Sequence, residues 1–123
     1  MRMWMVNPKI MCNYHLLGEH RELHMLLGSL KKRRSITGYI KSNCIEPLSI
    51  KDRHDALVEE MKRRGWTGHK TFMDVIEAAS AVGNLTLKEM NVKIDKEKAL
   101  EDLLSRCSRC YIRWIHNKSI LSI

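Results

Sequence analysis

Cys12-Asn-Tyr-His15-Leu-Leu-Gly-Glu19-His-Arg21-Glu22-Leu-His24 is the stretch on which the reading of this chain turns. Leu16, Leu17, Leu23, Leu27 and Leu30 recur at helical spacing, so the segment predicts a helix with one side to bury. His15, Glu19 and Glu22 follow at i, i+4 and i+7 and should share a second face. Gly18 lies beside that face. It lets a partner approach the backbone, at a cost of about 1 kcal/mol in helix stability against alanine. Three histidines, two glutamates, an arginine and a glycine are an unusual mixture for a solvated helix. They point to chemistry on that face, with a solvated face and core histidines as the plain alternative.

Before this helix, Met1 to Val6 is short and apolar, and Pro8 stops a helix from running through it. An extended arm is expected there, with Arg2 as its only charge. The helix itself should begin near Pro8 or Met11 and end at about Lys32, in the run Lys31-Lys32-Arg33-Arg34. Cations suit the negative end of a helix dipole, and the same run is suited to phosphate contact.

Beyond it, Ser35 to Leu48 reads as a loop, broken by Gly38, Asn43 and Pro47. Ser49, with Asp52 three residues on, predicts the start of a second helix. Ile50, Leu57, Val58 and Met61 form its buried stripe. Lys62-Arg63-Arg64-Gly65 is the cation-then-glycine signal of its end. Thr71 with Asp74 predicts a shorter third helix, with Phe72, Val75, Ile76 and Ala79 inward and Gly83 as its stop. Leu85-Thr86-Leu87 fits a short extended piece or a turn of helix. Asp95 caps a last helix with Ala99, Leu100, Leu103, Leu104 and Cys107 on its apolar side. That helix runs on into Tyr111-Ile112-Arg113-Trp114, with Tyr111 inward and Arg113 or Trp114 outward. The alternation of basic and aromatic residues there suits stacking on bases and pairing with phosphates.

The fold expected is all-α: a compact single-domain bundle of three to four helices with an extended N-terminal arm, spanning residues 1–123. Length supports one core and not two. At 44% hydrophobic and 29% charged the composition is that of a globular chain. Net charge is +8 and pI about 9.5, which favours a polyanionic partner, nucleic acid foremost. Residues 1–70 carry 14 basic against 7 acidic side chains, residues 71–105 carry 4 against 7, and residues 106–123 carry 4 against none. Two basic ends that met in space would form one cationic surface. No apolar run approaches a membrane span, and no signal peptide is recognisable. Four cysteines in that setting are expected to be reduced thiols inside a cell.

Cys107-x-x-Cys110 is half of a zinc motif, with Cys12 and Cys44 available to complete it. A full structural site usually shows two close pairs. Thiols at i and i+3 of a helix are more often small buried hydrophobes, so no metal is expected. His20 and His24 stand at i and i+4, but Arg21-Glu22 between them departs from the His-Glu-x-x-His pattern.

The block His15-Leu16-x-x-Glu19-x-Arg21-Glu22-Leu23 resembles, without a gap, the first helix of the phage-type pyrimidine-dimer DNA glycosylases, the endonuclease V family. Arg53 to Trp66, with Lys62-Arg63-Arg64-Gly65-Trp66, resembles that family's second helix and its Lys-Arg-Gly-aromatic end. Tyr111-Ile112-Arg113-Trp114 is similar in character to its aromatic-basic tail. The resemblance implies a small, all-α repair enzyme that needs no metal or small-molecule cofactor. It would act as a monomer, inside the cell, on damaged double-stranded DNA.

By the same resemblance the nucleophile is the α-amine of the first residue, acting with a glutamate on the first helix. An α-amine titrates at about 7.7–8.0, against about 10.4 for lysine, so it needs little tuning to be unprotonated. Carried over by position, the catalytic pair is Met1 and Glu22. Arg2, His15 and Arg21 would contact the lesion's phosphates or sugar, and Lys31, Lys32, Arg113 and Trp114 would grip the backbone. The phage pattern has threonine where this chain has Met1, exposed by methionine removal. A bulky arginine in second place should block that removal, so Met1 is expected to stay. The pattern also has an arginine where this chain has Met25. The alternative is a non-catalytic, basic nucleic-acid-binding module, with or without zinc.

Overall fold

The structure, a computed structural model, describes residues 2–68 and 71–121, with side chains to residue 118. It is all-helical among those residues. The arm leads into a 3-10 turn, Pro8–Ile10, and then α1, Asn13–Lys31. A short α2, Thr37–Lys41, and a second 3-10 turn, Pro47–Ser49, precede α3, Ile50–Arg63. Then come α4, Val75–Val82; α5, Leu87–Met90; α6, Lys96–Arg106; and α7, Ser108–Leu121. The helices of eleven residues or more are α1, α3, α6 and α7; α1, α3, the shorter α4 and, in place of one last helix, α6 and α7 make an all-α bundle as expected.

α1 is the central helix. It packs against both α3 and α4, while α7 packs on α6 and on the first 3-10 turn. Leu16, Leu23, Leu27 and Leu30 are buried on it as the spacing required; Leu26, which the stripe omitted, is buried too, and Leu17 packs only at the edge. The hydrophobic core runs continuously from Met3 and Trp4 of the arm to Leu103 and Cys110. Burial of an apolar side chain of this size contributes about 1.5–3 kcal/mol.

The close of α3 is a Schellman arrangement. Gly65 N–H donates to the Lys62 carbonyl at 2.9 Å and Trp66 N–H to the Met61 carbonyl at 3.0 Å. Gly65 has φ +83°, a conformation that glycine adopts without strain.

Several expectations are corrected. The stretch read as a loop, Ser35 to Leu48, contains α2. Ser49 does not cap α3 with its side chain; its hydroxyl donates to Glu46 instead. The N-cap of α4 is Asp74, which accepts from Glu77 N at 2.8 Å, so α4 begins later than Thr71. Its inward face is Ala78, Ala81 and Val82, with Met73 just before it, whereas Phe72, Val75, Ile76 and Ala79 are exposed. The small alanines let α4 lie close against α1, and the bulkier residues are turned out. Thr86 and Glu89 form a reciprocal capping box on α5, which settles the Leu85-Thr86-Leu87 segment as helix entry.

The last helix is not continuous. Cys107 is extended, at φ −128° and ψ 105°, and separates α6 from α7. The turn re-aims α7, so the inward and outward residues differ from those expected. Tyr111 is exposed, while Trp114 is half-buried and packs against the core.

Candidate active site

Glu22 meets the arm at the middle of α1. Arg2 N–H donates to Glu22 Oε2 at 3.1 Å. The Arg2 guanidinium lies 3.9 Å from the Trp4 ring centre and pairs with Asp102 of α6 at 3.2 Å. These groups border a cavity of about 340 Å³ lined by Arg2, Trp4, Tyr14, His15, Gly18 and Arg21 together with Leu17, Glu19 and Glu22. Gly18 presents backbone to it, and a Cβ added there would meet nothing within 4 Å. The wall at that point is therefore open to a bound group.

What holds the arm in place is a buried ion pair. Glu19 does not share the outer face with Glu22; it is fully buried and faces α3. Arg53 grips it bidentately, Nε to Oε2 at 2.5 Å and Nη2 to Oε1 at 2.9 Å. The same guanidinium donates to the Val6 carbonyl of the arm and approaches Met11 Sδ at 3.3 Å. Arg64 adds bonds to the carbonyls of Pro8, at 3.1 Å, and Met11, at 2.7 Å. Arg53 of α3 thus fixes the arm and Arg64, at the C-cap of α3, fixes the 3-10 turn that follows it, while Met3 N–H is tied to the Cys44 carbonyl at 2.7 Å.

His15 stands where α1 meets the arm. Its ring packs edge-on against Trp4 and Tyr14, at 5.8 and 5.3 Å between centres. Burial pushes its imidazole below the ordinary value of 6.5, with the charge of Glu22 pulling the other way. At neutral pH it is an uncharged ring that offers a hydrogen bond rather than a cation.

The structure brings Arg2, His15, Arg21 and Glu22 to one cavity. Met1 lies outside the described residues. Lys31 and Lys32 sit nine and ten residues beyond Glu22 on the same helix, about 14–15 Å along its axis. Lys31 pairs with Glu77 of α4, and Lys32 is exposed. Arg113 donates twice to the Lys9 carbonyl, at 3.1 and 2.9 Å, and thereby fastens α7 to the first 3-10 turn. Trp114 borders a different cavity of about 650 Å³ with Met5, Ile10 and Leu100. The two basic ends of the chain do meet. Lys9, Arg63 and Arg113 line one depression with His116, and Glu60, which pairs with Arg63, lies among them.

Sequence reasoning missed Asp102, Trp4 and Arg53. Arg2 and Asp102 are 100 residues apart, and Arg53 and Glu19 are 34 apart, so no local spacing announced either pair. Two groups with metal-ligating atoms also assemble. Cys12, His15, Cys107 and Cys110 form one, and His20, His24 and His54 the other. In the second, His54 Nε2 is 3.0 Å from His24 Nε2, and His54 Nδ1 is 3.0 Å from Asp55 Oδ1.

The sequence model of one family, described as pyrimidine dimer DNA glycosylase, matches residues 1–74, more than half of the chain. The chain belongs to the pyrimidine dimer DNA glycosylase family. No curated protein and no solved structure gives a significant match. The matched region holds the arm, α1 and α3, and hence Arg2, His15, Glu19, Arg21, Glu22 and Arg53. The glycosylase's α4 to α7 lie beyond it, including Asp102 and Arg113. As a member of this family it is a DNA-repair glycosylase and its substrate is DNA. Among the described residues, no helix is long and apolar enough to cross a membrane.

Proposed function

We propose that this glycosylase excises a base from damaged double-stranded DNA, at pyrimidine dimers or a related lesion, and then cuts the strand as an AP lyase. The α-amine of Met1 is the nucleophile and Glu22 its acid–base partner. One observation carries the reading: the hydrogen bond of Arg2 N–H to Glu22 Oε2 at 3.1 Å. That nitrogen is joined by its peptide bond to the residue that supplies the proposed amine, and Glu22 is the carboxylate it meets.

The chemistry then follows from the groups at hand. The unprotonated amine attacks C1′, and the glycosidic bond breaks with its electron pair going to the departing base, which takes up a proton. Glu22 accepts the proton that the amine sheds and stabilises positive charge at C1′ and O4′. The C1′–O4′ bond opens, O4′ takes a proton, and the amine nitrogen becomes an imine to C1′. Loss of a C2′ proton expels the 3′-phosphate by β-elimination, and water hydrolyses the imine. His15, Arg2 and Arg21 line the same cavity and would hold the sugar and flanking phosphates. Lys31, Lys32, Arg113 and Trp114 would engage the duplex further away. A lesion inside a stacked duplex is reached only if a nucleotide is turned out.

Borohydride trapping tests this. A duplex with an abasic site, incubated with the protein and borohydride, should give a covalent adduct that maps to the N-terminal peptide. Binding without any adduct would leave a non-catalytic DNA-binding module. Glu22→Gln should keep DNA affinity and lose about 10²–10⁴-fold in cleavage rate. Cleavage at the wild-type rate would remove Glu22 from the mechanism.

A further inference from the structure

The geometry points to a structural zinc site formed by Cys12, His15, Cys107 and Cys110, which clamps the start of α1 to the corner between α6 and α7. Cys12 Sγ lies 3.2 Å from His15 Nδ1 and 3.8 Å from Cys107 Sγ, and Cys110 Sγ lies 3.7 Å from His15 Nδ1. All four ligand atoms lie within 4.8 Å of one another. Zinc holds thiolates at about 2.3 Å and imidazole nitrogens at about 2.0–2.1 Å in a tetrahedron. Such a tetrahedron has edges of about 3.5–3.8 Å, as follows from those bond lengths. The observed separations bracket that value. They are far from a disulfide, whose sulfurs sit about 2.03–2.05 Å apart, and all four cysteines of the chain are free thiols.

The spacing agrees. Cys107-x-x-Cys110 is one close pair, and Cys12-x-x-His15 is the second, with histidine in place of a cysteine. Cys44 is not part of the group; its thiol faces the Ser42 carbonyl at 3.5 Å. Backbone N–H groups already point at the sulfurs: Cys12 N to Cys110 Sγ at 3.2 Å, and Cys110 N to Cys107 Sγ at 3.4 Å. Such bonds orient and stabilise metal-bound thiolates. Three thiolates and one imidazole form a soft donor set that selects zinc over magnesium, calcium or manganese. Four protein ligands leave no open position, so the site is structural rather than catalytic.

The site also accounts for the break in the last helix. No glycine or proline interrupts Leu103 to Tyr111, yet Cys107 is extended. That conformation brings the Cys107 sulfur to the Cys12 sulfur, 95 residues away in sequence. The site is independent of the proposed nucleophile and its acid–base partner, since neither Met1 nor Glu22 is among its ligands, but it commits the His15 ring to the metal and leaves the sugar and phosphate contacts of that cavity to Arg2 and Arg21.

The test is elemental analysis of the full chain, produced with zinc in the medium and purified without chelator, together with cobalt substitution. About one zinc per chain is expected, and added Co²⁺ should give the visible bands of tetrahedral thiolate-ligated cobalt. Cys44→Ser should keep the metal. Cys110→Ser should lose it, and because that variant can also fail to fold, His15→Cys is the second arm. It should retain one metal, with cobalt bands shifted to an all-thiolate pattern. A folded wild-type chain with less than about a tenth of an equivalent and no cobalt bands would overturn the site. So would iron in place of zinc, or a disulfide joining any two of the three cysteines in the native protein.

Discussion

Replacing Glu19 by glutamine should be among the most damaging single changes in this protein, although Glu19 does no chemistry. The change keeps the volume and removes the charge that answers Arg53. Both side chains are buried, at 6% and 0% exposure, so the guanidinium would be left charged in a dry site. Breaking a buried pair in this way costs about 3–5 kcal/mol. Domains of this kind have about 5–15 kcal/mol in total. With about 2.1 cal/mol/K per residue of unfolding entropy, the loss corresponds to a fall in Tm of roughly 12–19 °C. Urea unfolding followed by circular dichroism measures it. A loss below about 1 kcal/mol would refute the reasoning, because a loss that small belongs to a solvated pair. The double variant Glu19→Leu with Arg53→Met separates stability from function. An apolar pair of similar volume can recover most of the stability, but it cannot donate to the Val6 carbonyl. The arm should then loosen, and cleavage at an abasic site should fall by about 10²-fold even in the refolded double variant, the usual cost of about 1 Å of misplacement.

Two further outcomes are expected. Burial pushes the Glu46 carboxyl up, but hydrogen bonds from Ser49 and Ile94 N–H and the charges of Lys96 and Lys93 outweigh it and hold the group below its ordinary value of 4.5. The unfolded chain therefore takes up this proton first, so the stabilisation is complete above about pH 5.5 and drains away as pH falls through 4.5 and below; Glu46→Gln should flatten that acid limb in urea titrations from pH 3.5 to 7, and an unchanged limb would exclude Glu46 as its source. Lys32 is exposed beside the ion-paired Lys31, and if it meets a phosphate, Lys32→Ala should reduce the salt slope of DNA binding by about one; an unchanged slope places the duplex elsewhere.

Much of this molecule could be read from its residues. α1 was legible because five leucines keep one helical face, and the end of α3 because Gly65 follows three cations in the position where φ must be positive. In α4 hydrophobic bulk does not mark the inward face. Close packing on α1 instead selects Ala78 and Ala81 and leaves Val75 and Ile76 outside. The break at Cys107 carries no breaker residue, and its apolar spacing continues through Leu103, Cys107 and Cys110, so periodicity alone runs the helix straight through. Glu19 and Glu22 differ by three positions and looked equivalent. One turned out to be an anchor in the core and the other the carboxylate at the arm, a distinction set by Arg53 and Arg2 from distant parts of the chain.

The reach of Arg2 to Asp102 has a consequence for how the molecule can be divided. The portion that carries the family's signature stops at residue 74, yet the arm beside Glu22 is braced by α6 through Asp102, and the 3-10 turn that follows the arm is braced by α7 through Arg113. A fragment ending there would keep every residue assigned to bond cleavage and lose the struts that aim them. The carboxyl-terminal helices are thus a jig for the arm beside Glu22, and sequence drift in them is free only where it leaves those braces standing.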